Sequence, residues 1–166
     1  MFYKLFNTLD KLAHFKEAKA HCDIPCGIYD PHHAQLAALT VIRMMDLGNN
    51  LPPEAHDNKF GFVNSLSRFA AVKEEHAELV KKEVRVIYGD FIKEEHLVKY
   101  PELQPLVFKI MKLGSKVRQG VVRQDALDLL AAVNRFAEIF WEIKGIPTKK
   151  AKAPYAPAEE VVYPVL

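Results

Sequence analysis

The chain has 166 residues, 49% hydrophobic and 27% charged, with 23 Lys and Arg against 21 Asp and Glu. That is one domain's worth of chain, long enough to bury about two-thirds of the surface its unfolded form exposes. A net charge of +2 argues against nucleic acid or an anionic lipid surface as a partner, and no apolar run approaches the ~18 residues of a membrane span.

In residues 1–20, Phe2, Leu5, Phe6, Leu9, Leu12 and Ala13 fall at helical spacing, with Lys4, Lys11 and Lys16 around the rest of the turn. The segment closes on Ala18-Lys19-Ala20, small residues that resemble a processing site, but it lacks the unbroken apolar stretch of a secretory signal. A removable leader is expected rather than an export signal. Its four lysines and two acids, Asp10 and Glu17, carry the whole net charge of +2, so the chain from His21 onward is formally neutral.

Residues 21–31, HCDIPCGIYDP, hold both cysteines, a histidine and two prolines. This reads as a hook leading into a helix, with Asp30 as N-cap and Pro31 at the first helical position. Ala38, Val41, Ile42 and Met45 then fall at i, i+3, i+4 and i+7, and Gly48-Asn49 stops that helix. After Pro52-Pro53, a longer helix from near Asp57 carries Val63, Leu66, Ala70, Ala77, Val80, Val84, Ile87 and Phe91, a bundle seam interrupted at Lys73. Tyr100-Pro101-Glu102 opens a third helix through Leu103, Leu106, Val107, Ile110 and Val117, closed by Gly120, with Pro105 tolerable in its first turns. A fourth runs from about Gln124 to Lys144, with Leu129, Val133, Phe136 and Phe140 on one stripe, and ends at Gly145 and Pro147.

Four amphipathic helices with short connections and no convincing strand predict an all-α fold: an antiparallel up-down four-helix bundle over 32–144 behind an N-terminal metal-binding hook. The tail, 145–166, has four prolines and no helical face. It is expected to lie extended over the bundle or a neighbour, with Val161, Val162, Tyr163, Val165 and Leu166 hinting at a subunit contact and a frayed terminus as the bland alternative.

Two cysteines are too few for a disulfide-stapled secreted domain, so a reducing, cytoplasmic setting or a metal is the expectation. Alone, a Cys-x-x-x-Cys pair suits a metal, a redox pair or incidental thiols. His21 directly before Cys22, with Pro25 turning the chain back toward Cys26, gathers an imidazole and two potential thiolates within six residues. Zinc would need a fourth ligand. The remaining histidines, His14, His32, His33, His56, His76 and His96, show no paired metal spacing and read as surface or supporting residues. Were the chain cut ahead of His21, the new α-amine, the Cys22 amide nitrogen and the Cys22 and Cys26 sulfurs would close a planar N,N,S,S site through five-membered chelate rings. The His21 imidazole would reach an axial position. Planar nitrogen and sulfur donors suit nickel(II) or copper(II), and anionic thiolate and amidate donors stabilise the oxidised metal.

HCDIPCGIYDP resembles the amino-terminal hook of the nickel superoxide dismutases nearly letter for letter, and the likeness continues through VKEEHAEL (72–79), YPEL (100–103) and IFWE (139–142). The leader and the proline-rich tail are similar to the cyanobacterial-type branch. The resemblance implies disproportionation of superoxide to dioxygen and hydrogen peroxide by one nickel per subunit, alternating between Ni(II) and Ni(III). His21 would bind through its amine and, when oxidised, its imidazole; Cys22 through backbone nitrogen and sulfur; Cys26 through sulfur. It further implies a cis Ile24-Pro25 bond, Tyr29 standing over the open face, Asp23 bracing the loop, a homohexamer, and a maturation peptidase that removes the leader. Tyr29 as a packing aromatic and Asp23 as an ordinary turn residue are the bland alternatives. Three positions depart from the family: Ala37 and His76 stand where an acid and an arginine hold the axial imidazole, and Phe91 stands where the family has tyrosine. A non-catalytic nickel carrier and a helical interaction module with incidental thiols are the competing functions.

Overall fold

The computed structural model describes residues 26–56 and 58–166. Helix α1 (His32–Asn49) is followed by a 3-10 turn (Pro53–Ala55), α2 (Lys59–Asp90), a short α3 (Glu94–Lys99), α4 (Leu103–Gln119) and α5 (Arg123–Ile143). Two strands, β1 (Thr148–Lys152) and β2 (Glu160–Pro164), complete the chain. Helix α1 packs on α2, α2 on α4, α4 on α5 and α5 back on α1, a closed ring of four. The expected four-helix bundle is thus the observed one.

Each helix is built as the apolar spacing dictates. Ala38, Val41, Ile42 and Met45 of α1 are all buried, as are Leu103, Val107, Ile110 and Val117 of α4 and Leu129, Val133, Phe136 and Phe140 of α5. Full burial of each larger side chain stabilises the fold by about 1.5–3 kcal/mol. The boundaries follow local chemistry. Asn58 caps α2, its Oδ1 accepting from the Gly61 N–H at 2.9 Å. Gly120 ends α4, donating to the Lys116 carbonyl at 2.9 Å. Gly145 ends α5 at φ +70°, a left-handed conformation that costs a side-chain-bearing residue more than glycine.

Helix α2 departs from expectation in two places. Its 32 residues span about 48 Å at 1.5 Å per residue, whereas α1, α4 and α5 have 18, 17 and 21 residues. The first turns of α2 therefore overhang the bundle: of the residues expected on the seam, Val63 is 47% exposed, Ala70 is exposed and Leu66 is only half-buried. Lys73 is not a mere interruption. Its side chain is buried, and Nζ donates at 2.8 Å to the carbonyls of both Arg118 and Gly120. It thereby satisfies acceptors that the end of α4 leaves without intrahelical donors. Burial lowers the pKa of this ammonium, partly offset by Glu74.

The tail corrects the expectation of an extended, strandless segment. β1 and β2 form an antiparallel hairpin in register from Thr148↔Pro164 to Lys152↔Glu160. The prolines occupy places that need no ladder N–H: Pro147 precedes β1, Pro154 and Pro157 lie in the connection, and Pro164 ends β2. Val161 and Val162 are buried against the protein's own helices, with β2 contacting α5 and α1, so these two residues serve this bundle rather than a neighbour. Val165 and Leu166 remain exposed. Ion pairs tie the hairpin down: Lys150 Nζ lies 2.9 Å from Glu138 of α5. Arg123 joins Asp46 of α1 at 2.7 Å to Glu159 of the connection at 2.8 Å.

Candidate metal centre

The hook residues His21, Cys22 and Asp23, and the Ile24-Pro25 bond expected to be cis, lie outside the described residues; Cys26 and Tyr29 lie within them. Cys26 is exposed on the loop ahead of α1. Gly27 follows at φ +71° with nothing within 4 Å of a notional Cβ. Backbone conformation rather than crowding therefore selects glycine there. Asp30 accepts the His32 N–H at 2.8 Å, and Pro31 already has helical angles, φ −71° and ψ −6°. The expected cap is in place: the aspartate satisfies an amide at the helix start that has no intrahelical acceptor, and proline supplies a preset φ.

This loop forms one wall of a groove of about 440 Å³, with Cys26, Tyr29 and Asp30 on one side and His33 of α1 and Glu83 and Ile87 of α2 on the other. His33 Nδ1 stands 4.0 Å from Glu83 Oε2, with the imidazole 75% exposed and the carboxylate 16% exposed. The sequence reads His33 as a surface or supporting residue and gives Glu83 no role. His33 and Glu83 meet only because α1 and α2 pack side by side, and no spacing along the chain signals that.

Tyr29 is half-buried and packs on an aromatic cluster. Its ring centroid lies 5.8 Å from that of Phe91, which lies 4.9 Å from Phe140, itself 5.0 Å from Trp141. His96 stacks on Phe91 at 5.9 Å, and the Lys144 ammonium sits 5.6 Å from the Phe91 centroid and 5.3 Å from that of Phe140. Because His96 Nδ1 accepts the Lys93 N–H at 3.1 Å, its ring proton is on Nε2. Phe91 thus backs Tyr29 by packing, and it has no hydroxyl to offer a hydrogen bond. The packing role and the place at the groove are both seen for Tyr29, and one does not exclude the other.

Neither of the two positions expected around the His21 imidazole, Ala37 and His76, lines the groove. Ala37 is buried in α1, a methyl group without hydrogen-bonding capacity. His76 lies seven residues before Glu83, about 10 Å along α2, and does not line the groove. Its Nδ1 is 2.9 Å from the Val72 carbonyl. A carbonyl only accepts, so Nδ1 carries a proton, and in the neutral imidazole Nε2 is left as an acceptor.

The donor chemistry nonetheless suits a soft, redox-active ion: Cys26 is an accessible thiol, and the residues just before it supply a second thiol and an imidazole. Among the described residues no other group of three or more His, Cys, Asp or Glu is placed to hold a metal.

A family model described as nickel-containing superoxide dismutase matches residues 16–144, which takes in the hook and the bundle. The nickel superoxide dismutase of Streptomyces coelicolor is 35% identical over 130 residues, covering 75% of this chain and 88% of the relative. That of Streptomyces seoulensis is 34% identical over 131 residues, covering 77% and 91%. Among solved structures, native nickel superoxide dismutase superposes with a TM-score of 0.64 at 32% identity, over 75% of this chain and 99% of its own.

Proposed function

The chain belongs to the nickel-containing superoxide dismutase family, and from that premise we propose that His21, Cys22 and Cys26 form its nickel site once a leader of residues 1–20 has been removed. The enzyme converts two superoxide ions and two protons to dioxygen and hydrogen peroxide, with nickel as cofactor. The observation that carries the assignment of ligands is Cys26, exposed at the mouth of a groove beside Tyr29 and directly ahead of α1.

In this reading the α-amine and imidazole of His21, the amide nitrogen and sulfur of Cys22 and the sulfur of Cys26 would hold the ion, one per chain. Bound nickel would supply the one-electron redox chemistry that disproportionation of superoxide requires. The protein supplies placement. Asp30 holds the loop to the first turn of α1, and Gly27 gives it a turn that other residues resist. Tyr29, backed by Phe91, stands at the groove, where it would order water and limit entry to small anions. Asp23 would brace the loop. With Ala37 unable to hydrogen-bond, orientation of the His21 imidazole would fall to other groups, and the Nε2 of a neutral His76 would be an acceptor of the right kind were a neighbouring subunit to bring it near. A homohexamer, a maturation peptidase, a cytoplasmic setting and membership of the cyanobacterial-type branch complete the proposal. They are supported by the hook, leader and tail of the sequence, and by the inability of so short a loop to exclude water alone.

The test is a chain purified with His21 as its first residue. One nickel per chain with rapid superoxide decay is expected. Nickel without decay would indicate a carrier, and neither would indicate an interaction module. One residue added ahead of His21 turns the amine into an amide and is expected to abolish activity.

A further inference from the structure

The family match stops at residue 144, and the hairpin that follows reaches back to the start of α1. We propose that this hairpin is a strap that positions the hook, acting through Tyr163 and Gln35; the proposal rests on the hook being the nickel site. Three layers of contact carry it. Val161 and Val162 of β2 are buried against the bundle. Between them and the helices lies a buried amide pair: Gln35 Nε2, in the first turn of α1, donates to Asn134 Oδ1 of α5 at 2.8 Å and to the Val162 carbonyl at 3.2 Å. Asn134 Nδ2 in turn donates to the Glu160 carbonyl at 2.8 Å. Both N–H groups of Gln35 are thereby committed, one of them to the strap, and removal of β2 would leave buried donors without acceptors.

The third layer lies closest to the loop. The ring of Tyr163 packs against that of His32, with centroids 5.9 Å apart. The His32 N–H is the one that Asp30 accepts at 2.8 Å, and Asp30 lines the groove with Cys26 and Tyr29. A continuous path of contacts thus runs from β2 through the first turn of α1 to the loop. Helix ends fray on their own, and a ligand loop attached to a fraying turn must be ordered by the metal itself. An α1 terminus already pinned from behind reduces that ordering, so nickel is held longer. Tyr163 and Gln35 are positioning residues in this account, since neither reaches the groove.

Two measurements on Tyr163→Ala and Tyr163→Phe decide the matter. Hydrogen exchange of the metal-free protein is expected to show faster exchange over residues 27–35 in Tyr163→Ala, with the amides of α4 unchanged. Transfer of nickel from loaded protein beginning at His21 to excess chelator is expected to be at least about fivefold faster in Tyr163→Ala. Tyr163→Phe, which keeps the ring, is expected to restore both. Exchange over 27–35 that is unchanged, or that rises uniformly across the bundle, would overturn the strap, as would nickel release at the parent rate. A parent chain that binds no nickel would refute the hook assignment instead, while the metal-free exchange would still decide whether the strap holds the turn.

Discussion

Replacing Phe91 by alanine tests whether packing alone holds Tyr29 at the groove. Deleting a buried phenylalanine side chain costs about 3–5 kcal/mol. Phe91 is only half-buried, so about half of that, ~2 kcal/mol, is expected from lost burial. The rings of Tyr29 at 5.8 Å and Phe140 at 4.9 Å add about 0.5 kcal/mol each at the low end of aromatic pairing, giving a loss near 3 kcal/mol. For a chain of this size that lowers Tm by about 6–12 °C. Urea unfolding followed by circular dichroism measures the first quantity and a thermal scan the second. Superoxide decay at a temperature where the variant is folded then reports on Tyr29, and activity is expected to fall beyond any loss of nickel. A loss of stability below about 1 kcal/mol, or full activity per nickel, would refute the account of Phe91 as the support of Tyr29.

Lys73→Met is expected to destabilise the fold by about 2 kcal/mol at pH 7: two charge-assisted hydrogen bonds are lost, partly offset by relief from burying the ammonium. Because burial lowers the Lys73 pKa, the unfolded chain binds the proton more readily, so the parent's advantage over the variant should grow as pH rises toward 10.5. Urea midpoints at several pH values check both. Burial works against the Glu138 carboxylate, but Lys150 and Arg135 hold its pKa below the ordinary 4.5. Glu138→Gln should therefore cost about 0.5–1 kcal/mol at neutral pH, a difference fully present above pH 4.5 and lost as pH falls through the lowered value. Gly27→Ala forces a side chain into the left-handed region at φ +71°, about 1 kcal/mol of strain. Nickel affinity measured against a chelator should weaken about fivefold, with bundle stability unchanged.

The bundle was legible because its helices each keep one buried stripe, and their ends carry residues whose chemistry is local: Asp30 and Pro31 at the start of α1, Gly120 and Gly145 at the ends of α4 and α5. The hairpin was not. Val161 and Val162 are adjacent and both buried, so β2 lacks the alternation that marks a strand with one wet face, and TKKAK in β1 reads as a solvated run. Lys73 broke the seam in the sequence because its acceptors, Arg118 and Gly120, belong to another helix. The thiols, Tyr29 and the helix cap of the site stood within eleven consecutive residues. The far wall, His33 against Glu83, is made by packing, and nothing local announces it.

The most direct test of the nickel assignment is intact-mass and N-terminal peptide mass spectrometry of the nickel-loaded protein taken from its native cells. The account predicts a chain that begins at His21 with an unblocked amine. A fully active, nickel-containing protein that still carries residues 1–20 would contradict it, because the first ligand would then be an amide within the chain.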